Sequence, residues 1–325
     1  MKTIIGMLAV LSLASLAQGA DDPALAAAGK YVQRGNEFAQ KGSPARAKAE
    51  YLKALKTAPS HLDALYNVAV VCEQLNQRDE AMGYYRKYLE LKPNDADVWT
   101  QLGVLYDDAG QKAEAQAAYE KALAGHPNFG RAHHNLGVLL KEQGKLKEAG
   151  EHLKKYVELE EAAGRHNGEA YYSLGTYYLG VGNARDAKLM LQRAIEIDPQ
   201  SALFNNAMGD VYLVDKEPKV ALVYYQKALE KDPKYALAFS GMGDAYRDLG
   251  DVAAAEKSYR RALELRGDYN LVYFKLGELY EKANPVEAIK QFEKYLASGK
   301  NLALAKQAEA RLAVLRPVVE VQQIK

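Results

Sequence analysis

Apolar residues recur three and four positions apart in short segments along most of the chain. One segment contains Trp99, Leu102 and Tyr106, and the next contains Ala115 and Tyr119. This spacing places the apolar residues of each segment on one side of an α-helix. A glycine separates the two segments of most pairs, as a turn between helices requires. The pattern predicts an all-α protein built from helical hairpins.

The hairpin pattern repeats with a period of 34 residues. Small residues mark each repeat at Gly35, Ala69, Gly103, Gly137, Gly175, Gly209, Gly243 and Gly277. Neighbouring members of this set are 34 residues apart, except Gly137 and Gly175, which are 38 apart. Eight such repeats are expected to stack, because no single hairpin can bury its apolar side alone.

A second small residue follows twelve positions after the first one in most repeats. We expect Gly103 and Ala115 to face each other where the two helices of a hairpin cross. Large aromatic residues are expected to fill the space between one hairpin and the next. A bulky substitution such as Gly103→Leu is therefore expected to cost about 1–3 kcal/mol through overpacking.

These small, aromatic and proline positions resemble those of the tetratricopeptide-repeat (TPR) family, from about residue 28 to residue 299. The resemblance implies a TPR superhelical solenoid of eight helical hairpins plus a C-terminal capping helix. Repeats one to four are predicted at 28–163 and repeats five to eight at 168–299. The extra residues 164–167 between them form either a hinge or a passive loop. The capping helix is predicted at 300–316, and a frayed tail at 317–325.

The N-terminal segment has the three parts of a secretory signal peptide. An apolar stretch at 4–17 follows Lys2, small residues come next, and Asp21 and Asp22 end the run. The stretch is short for a helix that spans a bilayer. We predict a signal peptide at 1–20 and export to the periplasm or cell surface, with no membrane span after cleavage. An uncleaved anchor is the alternative.

Composition argues against several classes of function. The 43 basic and 42 acidic residues give no bulk positive charge for nucleic acid. The single cysteine, Cys72, excludes an internal disulfide and falls at a core position. No two histidines are spaced four apart for metal binding on a helix, and no phosphate loop or nucleophile elbow is present. His133 falls at the core position of Trp99. We therefore predict no metal, no cofactor and no enzymatic activity.

The TPR resemblance implies a concave groove lined by the first helix of each hairpin. The inward positions carry twelve acidic residues, namely Asp63, Glu73, Asp97, Asp107, Asp108, Glu142, Glu169, Asp210, Asp244, Asp248, Glu278 and Glu281. They carry four basic residues, namely Arg131, Lys141, Arg247 and Lys282. Twelve minus four leaves eight net negative charges, so the groove is expected to attract a basic segment. A solvated face without a ligand is the alternative interpretation.

The candidate contact residues combine this charge with an apolar row that consists of Val70, Val104 and Val138, joined by Tyr66 and Tyr172. They are Tyr66, Val70, Glu73, Thr100, Val104, Asp107, Asp108, Arg131, His134, Val138, Lys141, Tyr172, Thr176, Asn206, Asp210, Asp244 and Arg247. Some TPR proteins clamp a terminal carboxylate with lysine and arginine, but Val32, Asp97 and Gln101 occupy those positions here. The chain is therefore not expected to bind a carboxylate tail in that way.

These features predict a non-enzymatic protein-interaction scaffold of the cell envelope. Its groove is expected to bind a basic partner segment with apolar anchors. By resemblance, such scaffolds serve in pilus assembly, secretion, motility or export machinery. Two alternatives stay open. One is a homo-oligomeric structural protein whose groove receives the terminal segment of a neighbouring copy. The other is an accessory subunit of a polysaccharide-export or polysaccharide-processing complex.

Overall fold

The computed structural model describes residues 23–298 and 301–323. These residues form helices joined by short turns and contain no strand, which confirms the predicted all-α class. The predicted signal peptide at 1–20 lies outside the described residues. Among the described helices, none is both long enough and apolar enough to cross a membrane.

Seventeen helices are described, and each hairpin consists of an odd-numbered helix and the even-numbered helix that follows it. The first eight are α1 (Pro23–Gln40), α2 (Pro44–Thr57), α3 (Leu62–Gln74), α4 (Arg78–Leu91), α5 (Ala96–Asp108), α6 (Lys112–Gly125), α7 (Gly130–Glu142) and α8 (Leu146–Ala162). The next eight are α9 (Gly168–Gly180), α10 (Ala184–Ile197), α11 (Ala202–Val214), α12 (Pro218–Lys231), α13 (Ala236–Asp248), α14 (Val252–Leu265), α15 (Asn270–Tyr280) and α16 (Pro285–Ser298). The last helix is α17 (Leu302–Gln323).

The chain forms two compact units. Unit 1 ends at Tyr156 and unit 2 begins at Val157, so the boundary lies within α8. In both units, some odd-numbered helices contact the next odd-numbered helix, as α5 contacts α7 and α11 contacts α13. We call the surface formed by the odd-numbered helices of one unit its first-helix face. A hinge at 164–167 stays a prediction.

The recurring glycines accommodate aromatic rings of the second helices. A Cβ atom added to Gly103 would lie 2.5 Å from the Tyr119 ring, and one added to Gly209 would lie 2.5 Å from the Tyr225 ring. The three atoms nearest to the Cβ added at Gly103 all belong to Tyr119, and the expected crossing of Gly103 with Ala115 stays a prediction. The small residue is needed because a tyrosine four positions beyond the paired alanine packs flat against the first helix.

The last helix is longer than expected. The sequence predicts an end near residue 316 because Pro317 has no N–H to donate within a helix. The structure instead places Pro317 inside α17, and it places 317–323 of the predicted tail in this helix. Leu315 and Val319, on either side of the proline, are both buried. Their burial explains why packing overrides the local penalty.

Candidate functional site

Tyrosine side chains of the second helices contact residues on the first-helix face of unit 1. The Tyr66 ring packs edge-on against Tyr85, with ring centroids 6.1 Å apart. The Tyr85 hydroxyl donates a hydrogen bond to the carboxylate of Glu73. Burial raises the pKa of Glu73, and the nearby charge of Asp108 adds to this effect, whereas the Tyr85 hydrogen bond opposes it. Glu73 is therefore a half-buried carboxylate held in place from the core.

Several carboxylates of unit 1 are already neutralised by basic side chains. Arg131 Nη1 lies 2.8 Å from Asp97 Oδ1. Lys112, which the sequence did not place on this face, lies 2.5 Å from Asp107 and 2.8 Å from Glu142. The predicted negative charge is therefore partly compensated within the unit.

Two aspartates of the same unit keep an uncompensated charge. Asp63 and Asp108 are exposed, and neither has an ion pair with any residue that the structure describes. Asp63 lies near the start of α3, and Asp108 is the last residue of α5. An approaching basic segment would therefore meet these two carboxylates without displacing an internal cation.

The three valines of the predicted apolar row lie on three successive first helices of unit 1. Val70, Val104 and Val138 are all half-buried on α3, α5 and α7. The His134 ring packs against Tyr156, with centroids 4.9 Å apart. Burial lowers the pKa of Lys141, which is half-buried on α7. The row offers partly accessible apolar surface between charged groups.

Two of the predicted contact residues are buried. Thr100 has no exposed surface, and its hydroxyl donates a 2.7 Å hydrogen bond to the Ala96 carbonyl one turn earlier. Asn206 is only 7% exposed. The inward positions of the repeat therefore include core positions, and Thr100 contributes to packing rather than to an accessible surface.

The first-helix face of unit 2 contains two carboxylates held by phenol groups. The Tyr225 hydroxyl donates a 2.7 Å hydrogen bond to Asp210, and the Tyr259 hydroxyl donates one of 2.6 Å to Asp244. Lys275 adds an ion pair of 2.5 Å to Asp244. Burial raises the pKa of Asp210 to about 6. Each carboxylate thus accepts a hydrogen bond from its own tyrosine, but among the described residues only Asp244 also has an ion pair.

The remaining acidic residues at the C-terminal end of unit 2 are compensated. Arg247 lies 3.5 Å from Glu278 and 3.6 Å from Asp248. Arg311 of α17 lies 3.0 Å from Glu278 and 2.5 Å from Glu281. With Lys112, Lys275 and Arg311 added to the four predicted basic residues, the excess of twelve acidic over seven basic groups is five rather than eight.

Tyr172 and Thr176 of α9 are half-buried, as two further predicted contact residues. The Tyr172 ring stacks on Phe204 with centroids 5.5 Å apart. The Thr176 hydroxyl donates a 3.0 Å hydrogen bond to the Ser173 carbonyl. Tyr172 therefore offers a fixed aromatic edge on this part of the face.

The core role predicted for His133 is confirmed, and the structure adds a partner that the sequence did not suggest. His133 is 9% exposed, and its Nδ1 lies 2.9 Å from Nδ1 of His152 on α8. Its Nε2 lies 2.9 Å from the Pro127 carbonyl, as Trp99 Nε1 lies 2.6 Å from the Pro93 carbonyl one repeat earlier. Since a carbonyl only accepts, His133 Nε2 carries the proton and His152 Nδ1 donates to His133. Cys72 is also buried, as expected.

A cleft of about 560 Å³ lies at the loop edge of unit 1, away from most predicted contacts. It is lined by the α4–α5 connection, from Leu91 to Asp97, together with His126 and Phe129. Of the lining residues, Asp97 also forms an ion pair with Arg131 on the first-helix face. Within the described ranges, no group of three or more histidine, cysteine, aspartate or glutamate side chains could hold a metal ion.

Protein-family models match most of the repeat region. Models described as tetratricopeptide repeat match residues 129–200, residues 32–96 and 172–236, and residues 84–117 and 224–257. A model described as TPR repeat matches residues 243–284. Together they cover more than half of the chain.

One curated relative and two solved structures extend this comparison. The chain is 45% identical over 53 residues to the type IV pilus assembly protein PilF of Pseudomonas aeruginosa, a match that covers 16% of this chain and 21% of PilF. The crystal structure of the APC/C hetero-tetramer Cut9-Hcn1 aligns with TM-score 0.61 at 21% identity, over 84% of this chain and 52% of that one. A tetratricopeptide repeat protein from Parabacteroides merdae aligns with TM-score 0.61 at 16% identity, over 90% and 99% of the two chains. The structural likenesses show the fold, and the chain spans about a fifth of the curated relative that it matches.

Proposed function

Because the chain belongs to the tetratricopeptide-repeat family, we propose that it is a non-enzymatic protein-interaction scaffold whose first-helix face binds a segment of a partner protein. TPR folds bind protein or peptide partners, and proteins of this family are typically non-enzymatic interaction scaffolds. The observation that favours a basic partner is the pair of exposed aspartates, Asp63 and Asp108, beside the half-buried valine row of unit 1.

The partner segment is proposed to carry apolar anchors as well as positive charge. Val70, Val104 and Val138 supply partly accessible apolar surface on adjacent helices. Apolar burial supplies affinity, and the exposed carboxylates steer the approach and select the sign of the ligand charge. Both parts are required, because exposed ion pairs alone contribute little.

A peptide-display selection tests this proposal. The full chain is immobilised and challenged with a random peptide library, and the recovered sequences are compared with the unselected library. We expect recovered peptides to have net positive charge and at least one large apolar residue. Recovery of acidic or purely polar peptides would contradict the proposal.

Variant scaffolds locate the binding surface in the same selection. Asp63→Asn with Asp108→Asn should reduce the enrichment of lysine and arginine in the recovered peptides. Glu114→Gln with Glu148→Gln is the matched control, since it removes the same charge from exposed positions on second helices. An equal loss in both variants would show that overall charge, rather than the first-helix face, selects the peptides.

The cellular setting is proposed to be the envelope, with pilus assembly as the favoured process. The short match to PilF and the apolar segment at 4–17 support this proposal. Fusion of the full chain to alkaline phosphatase in a bacterial host tests export, since the enzyme becomes active outside the cytoplasm. Phosphatase activity that is lost when residues 1–20 are removed is expected, and a full-length fusion that is produced but inactive would argue against export.

A further inference from the structure

A half-buried ammonium site is formed by the first helices of the last two hairpins, α13 and α15. Lys275 Nζ of α15 lies 2.5 Å from Asp244 Oδ2 and 3.0 Å from Ser240 Oγ, both on α13. The Tyr259 hydroxyl holds the other carboxylate oxygen of Asp244 at 2.6 Å. The ammonium group of Lys275 is thus received by one carboxylate and one neutral oxygen.

The equivalent positions one repeat earlier also carry a carboxylate and a neutral oxygen acceptor, but a glycine takes the place of the lysine. Subtracting 34 from Ser240, Asp244 and Lys275 gives Asn206, Asp210 and Gly241. The phenol is also repeated, since the Tyr225 hydroxyl donates a 2.7 Å hydrogen bond to Asp210 Oδ1. A carboxylate and a neutral oxygen acceptor therefore lie together on α11 without the side chain that would supply the ammonium group.

The neutral acceptor of this set has no hydrogen-bond partner among the residues that the structure describes. Asn206 Nδ2 donates a 3.1 Å hydrogen bond to Asp210 Oδ2, which directs the amide nitrogen toward the carboxylate. The other atom of the amide, Oδ1, is buried and unpartnered. A buried acceptor without a donor costs free energy, and few native structures keep one without a reason. Its counterpart in the next repeat, Ser240 Oγ, accepts from an ammonium group.

Within the described part of the chain, the Asp210 carboxylate also has no ion pair like that between Asp244 and Lys275. Burial raises the pKa of Asp210 to about 6, the charge of Asp244 acts in the same direction, and the Tyr225 hydrogen bond and the charge of Lys275 act against it. Lys275 is already bound to Asp244 and Ser240. An additional cation would therefore stabilise the ionised form of Asp210.

The chain cannot supply this cation from position 241. A Cβ atom on Gly241 would lie 2.5 Å from the Tyr225 ring, so a lysine there would displace the ring that holds Asp210. Since no described residue donates to Asn206 Oδ1, another molecule could supply that donor.

We infer that Asn206 and Asp210 form a binding site for a primary ammonium group of the partner, supplied by a lysine side chain or by a free N-terminus. This inference rests on the proposed function, in that the amine belongs to the bound segment. It adds a particular chemical group and a particular pair of residues in unit 2. An ammonium group matches the site because it carries three donors around one charge.

Nuclear magnetic resonance of the full chain with small amines tests the site directly. Probes are N-acetyl-lysinamide, which has only a side-chain amine, norleucinamide, which has only an α-amine, and N-acetyl-norleucinamide, which has neither. The Asp210 carboxyl and Asn206 amide resonances are followed up to about 100 mM probe, enough for a site of millimolar affinity. We expect an amine probe to shift both resonances saturably and to lower the titration midpoint of Asp210. The better of the two amines identifies the source.

Two variants make the result decisive. Asp210→Asn removes the charge and is expected to weaken amine binding at least tenfold. Lys275→Ala removes the donor to Ser240 and leaves Arg247, 3.7 Å from Asp244, as the remaining basic partner, so it is expected to create a second, weaker site and to raise the stoichiometry above one. Circular dichroism confirms that both variants fold. Equal shifts with N-acetyl-norleucinamide, or binding unchanged in Asp210→Asn, would overturn the inference.

The outcome is separable from that of the proposed function. Display-selected peptides that bind Asp210→Asn as tightly as the unaltered chain would leave the scaffold proposal intact and remove the amine site. Saturable amine binding by a chain that selects no peptides would do the reverse.

Discussion

The Tyr259 hydroxyl donates a 2.6 Å hydrogen bond to the carboxylate of Asp244, fifteen residues earlier in the chain. Tyr259 is a buried residue of the second helix α14, and Asp244 lies on the first-helix face. Tyr225 and Asp210 repeat this relationship one repeat earlier. Packing of the hairpins therefore also positions the charged groups that a partner would meet.

The fit between glycine and tyrosine gives the first prediction. Gly103→Ala places a Cβ atom 2.5 Å from the Tyr119 ring, so the free energy of unfolding is expected to fall by about 1–3 kcal/mol. Gly83→Ala is the control, because its Cβ atom has no neighbour within 4 Å and lies inside α4. Alanine there is expected to stabilise by up to about 1 kcal/mol. Urea unfolding measures both, and equal effects would contradict the proposed packing.

A second prediction concerns the phenol–carboxylate pair. Tyr259→Phe removes a donor from the largely buried Asp244 and is expected to cost about 1–3 kcal/mol. Tyr119→Phe changes the same position of another repeat, where the hydroxyl has no hydrogen-bond partner among the described residues. That control is expected to change stability by less than about 0.5 kcal/mol. Thermal unfolding of the two variants side by side checks the difference.

The contact between buried His133 and half-buried His152 makes the stability of unit 1 depend on pH. Burial, followed by the neighbouring His133, lowers the pKa of His152 below its ordinary value of 6.5. The unfolded chain therefore binds a proton at His152 more readily than the folded chain does. The contribution of His152 to the free energy of unfolding is fully present above pH 6.5 and is lost as pH decreases toward the folded pKa.

The variant His152→Asn keeps an N–H donor toward His133 and removes the titrating group. Its stability is expected to fall less than that of the unaltered chain when pH decreases from neutral to about 5.5. The raised pKa of Asp210 has the opposite sign, since it favours the folded state as pH falls through 6. Because both proteins contain Asp210, the difference between them isolates the histidine. Parallel curves would contradict the assignment.

The last helix is expected to stabilise the end of unit 2. Leu312 is 4% exposed and packs with the α15–α16 core, so Leu312→Ala should cost about 2–4 kcal/mol. Val314 is 68% exposed on the same helix, and Val314→Ala is the matched control. Hydrogen exchange of α15 and α16 should accelerate only in the first variant. Acceleration in both, or in neither, would mean that α17 does not act as a cap.

The helical hairpins and their period were predictable because both depend on local spacing. Small residues recur at one position of each repeat, and at Gly35, Gly103, Gly209 and Gly243 the glycine faces a tyrosine ring of the following helix. Pro317 is the exception, since the burial of Leu315 and Val319 decides its conformation. That burial depends on contacts that no local pattern records.

The charged contacts of the site were less predictable than the fold. Lys275 and Arg311 neutralise predicted acidic residues from helices one repeat away, and neither belongs to the inward set implied by the family. His152 could not be paired with His133 from spacing, because the two lie on different helices nineteen residues apart. The 34-residue period aligns Gly241 with Lys275, but only the side-chain contacts show that Lys275 donates to Ser240 and Asp244.

Calorimetric titration with one display-selected basic peptide, at low and high salt, tests the central claim most directly. We expect the Kd to rise about tenfold between roughly 50 and 300 mM NaCl, because charge on the first-helix face attracts the peptide. We expect the variant Asp63→Asn with Asp108→Asn to bind more weakly and to lose much of that salt dependence, whereas Glu114→Gln with Glu148→Gln should match the unaltered chain. An affinity that neither salt nor the aspartate variant changes would contradict the claim.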